Sequence, residues 1–364
     1  MTQNEISTML DAVLAKPAET AVVNGAVCSE ELEAKLKNCI VSMNEEYPAN
    51  KFLFSVDDVP VITMADLHTI GAKQKGGKTS LIQVFLAAAA SGQWHHVKCL
   101  VSNLSVLYVD TEMKKVDTQQ LGAKVSVMAG MDVLPENIHL VNFRPLSANE
   151  MVMGIRYFAQ LYQADIIIVD GIVDLCYDFN DVKASQELVI GFLMKFAEEQ
   201  QCAIINVLHT NKTDGYTELR GHLGAFFEQK GSTVIKCEKD DDNNIVTVKF
   251  PTHRYAPVPE FHFTFDENGI PVCADEMYQN IQMEKQRSAE QIRAEEKRKV
   301  YEERKAMVLD VIKAHGGKVE RKALLEEMMA RLNKRKSTVS NLLKALKADD
   351  VVTEDNSLIS IVEQ

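Results

Sequence analysis

Five short runs of Val, Ile and Leu constrain this chain more than any other feature: VLYVD (106–110), IHLVNF (138–143), DIIIVD (165–170), AIINVLH (203–209) and STVIKCEK (232–239). Segments with helical spacing separate them. Strands that are apolar at nearly every position are buried on both faces, which requires a parallel sheet with helices packed on each side. The expected fold class is therefore α/β over about residues 51–275. IVTVKF (245–250) and EFHFTF (260–265) alternate instead, which predicts hairpins added to one sheet edge.

Ahead of the first of these runs stands IGAKQKGGKTS (70–80). A phosphate-binding loop needs a strand, a turn of backbone N–H groups, a lysine, and a hydroxyl for Mg²⁺ at a helix start. Leu67–Ile70 can end the strand, and Thr79–Gly92 reads as an apolar helix whose N-terminus favours anions. The loop candidates are Ala72, Lys73, Gln74, Lys75, Gly76, Gly77, Lys78, Thr79 and Ser80. Counted back from Gly77-Lys78-Thr79, the leading glycine position falls on Ala72, with Gly71 just before it. Alanine enters positive-φ conformations less readily than glycine. Either the loop tolerates alanine there or it holds one extra residue.

Such a loop needs partners. Mg²⁺ bound at Thr79 requires a nearby carboxylate, and Asp170, after four apolar residues, is the candidate at a buried strand end. Glu112 follows VLYVD and suits the task of orienting and deprotonating an attacking water. Asp110 reads as structural. His209 ends the next buried strand, where a polar side chain can sense the γ-phosphate. His95 and His96 read as a loop pair without companion metal ligands, and seven scattered cysteines have neither zinc nor redox spacing, as expected of reduced thiols.

The rest of the chain divides by composition. Residues 1–50 read as a helical segment, with Ser29 capping a run of helical spacing. The N-terminus lacks the basic start and apolar core of a signal peptide, and no apolar run reaches the roughly 20 residues that span a bilayer. A cytoplasmic protein is the expectation. Residues 276–305 are nearly all Glu, Lys, Arg, Gln and Ala, a charged helical linker. Residues 306–364 read as three helices, the third capped by Ser337, followed by a two-stranded wing turning at Asp355-Asn356. The apolar faces are Met307, Val308, Val311 and Ile312; Leu324, Leu325, Met328 and Met329; and Val339, Leu342, Leu343 and Leu346. From Lys285 to Lys347 there are 18 Lys and Arg against 9 Asp and Glu. With a net charge of −12 overall, the remainder carries −21, so a basic end sits on an acidic body.

The order of a Walker-type loop, strand-Asp-x-Glu, IIIVDG, NVLHTNK and RGHLGAFFEQKGS resembles the RecA-like ATPase superfamily over roughly 50–270. The RepA-like hexameric helicase branch is the most similar group, near bacterial replicative helicases and RadA-type repair ATPases. The resemblance implies Lys78 and Thr79 on phosphate and Mg²⁺, Glu112 as catalytic carboxylate, Asp170 as the Walker B acid and His209 as sensor. It also implies a homo-oligomer, expected to be a hexameric ring, in which a neighbour's cation completes each site. Arg254, Lys230 and Arg220 are the candidates; the lysine that many relatives carry two residues before Arg254 is Thr252 here. The polar stretch Thr213–Gly224 corresponds to a loop that touches DNA in relatives.

The C-terminal 60 residues resemble a winged helix-turn-helix, whose third helix would present Thr338, Asn341 and Lys344, preceded by Lys334, Arg335 and Lys336, to DNA. The expected function is Mg²⁺-dependent ATP hydrolysis by an oligomeric motor acting on DNA, in replication, mobilisation or maintenance of a mobile element, with proteins of those processes as partners. The competing expectation is an ATP-switched regulator or loader with little turnover. A partition-type loop is a third reading, opposed by the loop's composition and its distance from the chain start.

Overall fold

The structure is a computed structural model that describes residues 22–23, 26–27, 29–211 and 218–362. The chain divides into two compact units, Met1–Lys51 and Phe52–Gln364. In the first, β1 (Val22–Val23) and β2 (Ala26–Val27) pair antiparallel, and α1 (Glu30–Asn38) follows. The Ser29 hydroxyl accepts from the Leu32 N–H at 3.2 Å, as expected of its cap. Residues 1–21 of the segment expected to be helical lie outside the described residues.

In chain order the second unit begins with β3 (Phe52–Val56), β4 (Val59–Thr63), β5 (Leu67–Ala72), α2 (Lys78–Ser91), β6 (Gln93–Trp94), β7 (Val97–Cys99) and β8 (Val106–Asp110). It continues through α3 (Lys115–Met128), β9 (Ile138–Asn142), α4 (Ala148–Tyr162) and β10 (Ile166–Asp170). A helical stretch follows, α5 (Val182–Gln186) running through a π-helical Glu187–Met194 into α6 (Lys195–Gln200). Then come β11 (Ala203–His209), α7 (Gly221–Lys230), β12 (Thr233–Asp240), β13 (Ile245–His253), β14 (Phe261–Phe265) and β15 (Pro271–Cys273).

Nine of these strands form one sheet in the order β15-β14-β13-β12-β5-β11-β10-β8-β9. From β12 to β9 every neighbour is parallel, and β13, β14 and β15 add to one edge antiparallel. This is the α/β class with a mostly parallel sheet that the apolar runs predicted. The physical reason is visible in β10: Ile166 and Ile168 join an apolar layer with Leu81 and Phe85, while Ile167 and Val169 join the opposite layer with Ile155, Val189 and Phe196. Each face of the strand needs an apolar partner, so helices cover both. A small antiparallel sheet, β4-β3-β7-β6, was not foreseen; two of its strands are only two or three residues long and leave little pattern to read.

The parallel registers align the strand ends that matter. Ala72 lies opposite His209, and Asp170 lies between Val207 and Asp110. One strand, β11, separates the loop strand from the acid strand. Ligands of open α/β sheets bind outside the carboxyl ends of the strands, and Ala72, His209, Asp170 and Asp110 are the last residues of their strands at that edge.

Beyond the sheet, α8 (Asp275–Ala314) runs unbroken for 40 residues. The charged segment expected as a linker and the first helix expected after it are thus one helix, with no break at 305–306. Next come β16 (Lys318–Glu320), α9 (Arg321–Leu332), α10 (Lys336–Ala348), β17 (Val352–Asp355) and β18 (Leu358–Ile361). β16 joins the expected hairpin as a third strand in the order β16-β18-β17. Val308, Val311, Ile312, Leu324, Met328, Val339, Leu343, Leu346 and Ile359 share one core.

Two expectations fail here. Met307 is 39% exposed, because Val308, Val311 and Ile312 already define the inward face of α8 and Met307 sits beside it. Ser337 is not the cap of α10: the helix begins at Lys336, with Arg335 in the cap position and no side-chain cap hydrogen bond. No helix among the described residues is long and apolar enough to cross a membrane.

Candidate nucleotide-binding site

The loop after β5 answers the question posed by its shifted glycine. Ala72 is the last residue of β5, buried, and its carbonyl accepts from the Thr210 N–H at 3.0 Å. It is absent from the positive-φ residues, so this position does not require glycine. The turn falls on 73–77: Gly76 N–H donates to the Lys73 carbonyl at 3.0 Å, Lys75 has φ 59°, and Gly77 has φ 94°. A Cβ on Gly77 would stand 3.0 Å from both methyls of Val246. Gly77→Ala is therefore expected to cost roughly 1–2 kcal/mol from the left-handed backbone alone. It should lower the denaturation midpoint and weaken nucleotide binding together, measured by chemical denaturation and equilibrium titration.

α2 starts at Lys78, and its first N–H groups have no intrahelical acceptor, so they are free for an anion at the loop. Lys73, Gln74 and Lys75 are exposed around it, and Ser80 follows in the first turn of α2. The Lys78 ammonium donates to His209 Nδ1 at 3.0 Å and to the Lys73 carbonyl at 3.3 Å. Burial lowers the Lys78 pKa, against the opposing pull of Asp170 and Glu112. His209 is lowered too, by desolvation and then by Lys78 and Arg220. It is thus held neutral, with Nδ1 as acceptor.

The Thr79 hydroxyl donates to Asp170 Oδ2 at 3.3 Å, and the Tyr108 hydroxyl donates to the same oxygen at 3.0 Å. Desolvation raises Asp170 to about 6, against the Tyr108 hydrogen bond, with Glu112 and Asp110 adding to the rise. Thr79 and Asp170 offer hard oxygen donors close together at a helix N-terminus, which is the donor chemistry of Mg²⁺, and the residues fit that ion.

Asp110 is structural. Its Oδ1 accepts from the N–H groups of Glu112 and Met113 at 3.0 and 2.9 Å, and its Oδ2 from the Thr118 hydroxyl at 2.5 Å. These bonds turn the chain so that Glu112 leaves the strand end with its carboxyl beside the site. The residue as a whole reaches solvent. Its carboxyl is nonetheless partly desolvated, which raises its pKa together with Asp174 and Asp110, while Lys78 opposes.

Three participants escaped sequence reading. Tyr108 carried a signal, since a phenol inside a fully buried strand needs a partner for its hydroxyl. Asp174 reaches the site through Thr111, whose hydroxyl donates to it at 2.7 Å, and no local pattern marks it. Gly171 (φ 99°) lets these groups close: a Cβ there would stand 2.0 Å from Thr111 Oγ1.

The three candidate cations separate in space. Arg220 lies on this chain's own site: with Lys73, Gln74, His209, Thr210 and Asn211 it lines a cleft of about 900 Å³, and its guanidinium stacks 4.9 Å from the Phe179 ring. Lys230 ends α7, and the Ser232 N–H two residues on bonds the Leu67 carbonyl at 2.9 Å. Arg254 lies 3.6 Å from Asp66. Both therefore stand at the opposite end of β5 from the loop, about 17 Å away along a six-residue strand. Of the segment expected as a DNA-touching loop, Thr213–Gly224, residues 213–217 lie outside the described residues, and Gly221–Gly224 open α7 instead of continuing a loop.

Residues 56–215 match the model of the AAA domain family. The span is less than half of the chain and contains the loop, Glu112, Asp170 and His209. One solved structure, described as an ATPase domain, is similar at 17% identity and a TM-score of 0.41, over 57% of this chain and 84% of that one. No curated protein is a significant match.

Proposed function

We propose that this chain hydrolyses ATP at the carboxyl edge of its parallel sheet and uses the cycle on DNA, as an oligomer. The observation that carries the reading is the convergence of an ammonium, a hydroxyl and two carboxylates from three separate chain segments on one loop: Lys78 and Thr79 beside Asp170, with Glu112 coupled electrostatically to Lys78. The AAA-domain match over the same span supports it.

In this reading the amides of the loop and the Lys78 ammonium bind the β- and γ-phosphates, Lys78 exchanging its bond to His209 for phosphate oxygen. Thr79 and Asp170 would hold Mg²⁺, which supplies charge neutralisation on the phosphates. Glu112 accepts the proton of the attacking water. His209, neutral and hydrogen-bonded to Lys78, senses whether the γ-phosphate is present and passes that state to the segment that follows Thr210. Arg220 serves the chain's own site. Arg254 and Lys230, at the far pole, serve a neighbour's site in a ring, and a hexamer of the RepA-like helicase kind is the expected assembly. The transition-state charge is what such a cation stabilises.

The C-terminal helices and three-stranded sheet are read as a winged helix. Lys334, Arg335, Lys336, Asn341 and Lys344 are exposed on α10 and the turn before it, with Thr338 half-buried. None of those lysines and arginines makes an ion pair among the described residues, which leaves them available to phosphates. Replacing Lys334 and Lys336 together by Ala is expected to weaken duplex binding uniformly across sequences. It should also flatten the salt dependence by about 0.9 for each phosphate that is no longer neutralised, read from affinity against salt concentration.

The function is tested by steady-state ATP hydrolysis against single- and double-stranded DNA, with mass in solution measured in the presence of ATP. Stimulated turnover in a ring supports the motor. ATP binding that changes assembly without turnover supports the switch, and no response to any nucleic acid removes the DNA reading.

A further inference from the structure

His95 and His96 lacked metal-ligand companions in the sequence, but the fold supplies them for His96. It stands in the β6–β7 connection, Cys273 ends β15, and Asp275 opens α8. His96 Nε2 lies 2.6 Å from Asp275 Oδ2, and Cys273 Sγ lies 3.1 Å from the same oxygen and 3.9 Å from Nε2. All three ligand atoms fall within 4.8 Å of one another. The cluster is separate from the nucleotide site, and nothing in the proposed hydrolysis uses it.

The atoms behind the ligands are already fixed. His96 Nδ1 bonds Asp57 Oδ1 at 2.7 Å, which directs Nε2 at the cluster. Asp275 Oδ1 accepts from His262 Nδ1 at 2.8 Å and from the His262 N–H at 3.1 Å, which directs Oδ2 there too. The His262 ring is itself held by stacking on Tyr278 at 3.7 Å. A carboxylate behind a ligating histidine, and donors behind a ligating carboxylate, are the outer supports typical of metal centres.

We propose that His96, Cys273 and Asp275 form a zinc site that fastens the start of α8 to the small antiparallel sheet. One imidazole nitrogen, one thiolate and one carboxylate are a borderline donor set that suits Zn²⁺ and not Mg²⁺ or Ca²⁺, which take oxygen. Zinc bonds of about 2.0–2.3 Å in a tetrahedron set ligand atoms about 3.3–3.8 Å apart. The present spacing reaches that with a shift of under about 1 Å at the His96–Asp275 pair. His96 and Asp275 side chains keep 24% and 23% exposure, so a water can complete the fourth position. Without metal, His96 Nε2 and the Cys273 thiol both meet Asp275 Oδ2 through a proton; binding as imidazole, thiolate and carboxylate releases both protons to solvent.

The test uses the full chain, stripped with chelator and titrated with Zn²⁺ and with Co²⁺. The wild type should bind one zinc per chain in excess of the Cys273→Ser protein and develop a thiolate-to-cobalt charge-transfer band. Cys273→Ser should lose the band and bind zinc at least about 100-fold more weakly, and Asp57→Asn should weaken zinc about 10- to 100-fold while keeping the band. A wild type without the band overturns the proposal, as does a Cys273→Ser protein that keeps it at full intensity. If Cys273→Ser fails to fold, the wild-type band and the Asp57→Asn affinity decide: no band, or an affinity equal to wild type, rejects the site.

Discussion

Glu112→Gln is expected to lower kcat for ATP hydrolysis about 10²- to 10⁴-fold, the usual contribution of a positioned general base, while nucleotide affinity stays within a few-fold of wild type. The amide keeps the size and the Asp110-anchored turn, since both bonds to Asp110 come from backbone N–H groups of 112 and 113. What it removes is the proton acceptor. Desolvation and Asp174 raise the Glu112 pKa, which moves the carboxylate toward the pH at which a base works best. Affinity is expected to survive because, in the proposed site, Lys78, Thr79 and the loop amides carry the phosphates. Single-turnover hydrolysis beside equilibrium nucleotide titration reads the two separately. A Glu112→Gln protein that turns over within tenfold of wild type would remove Glu112 from the chemistry, and Lys78→Ala, losing affinity as well, provides the contrast.

Acid should destabilise this protein through a histidine that takes no part in nucleotide chemistry. His68 is the second residue of β5, fully buried, with Nε2 3.0 Å from the Thr63 carbonyl. Burial holds its pKa down to about 4 against an ordinary 6.5. Above pH 6.5 it is neutral in the folded and the unfolded chain, and it affects neither. Below that pH the unfolded chain binds a proton that the folded one refuses, so stability falls from pH 6.5 down to about 4. At 1.36 kcal/mol per pH unit the loss amounts to about 3 kcal/mol. His68→Gln keeps an N–H for the Thr63 carbonyl and removes the titration. Denaturation free energies of the two proteins at pH 7 and pH 4 should differ in slope by about that amount, and parallel slopes would reject the assignment. The other acid-titrating groups are common to both proteins and cancel in the comparison.

Much of the site lies within a few residues of a readable strand end. Gly76, Gly77, Lys78 and Thr79 follow one strand directly, Asp170 and His209 are the last residues of two others, and the two-residue offset of Glu112 from Asp110 is a turn. Parallel packing brings such ends to one edge regardless of detail, so residues adjacent in the pattern become neighbours in space. Arg220 could not be sorted from Lys230 and Arg254 in this way. All three are cations in polar surroundings, and only the path of α7 and β12 past the ends of β5 puts one beside the loop and two at the far pole. The misplaced cap at Ser337 has a different cause: the helix starts two residues earlier, with Arg335 in the cap position, within the span where several polar residues compete for the cap.

The chain's own order of residues determined the layered α/β architecture, because a strand apolar on both faces has a single stable surrounding. It also made the loop legible, because the glycine pair, the lysine and the hydroxyl at a helix start lie next to one another in the chain. Only the tertiary structure decided what meets across long stretches of chain: Tyr108 on Asp170, Asp174 beside Glu112, and His96 with Cys273 and Asp275, 177 and 179 residues away. Those encounters depend on which strand lies next to which and on where a hairpin or helix begins. Local periodicity does not encode such choices, because packing selects among many equally regular arrangements of the same elements.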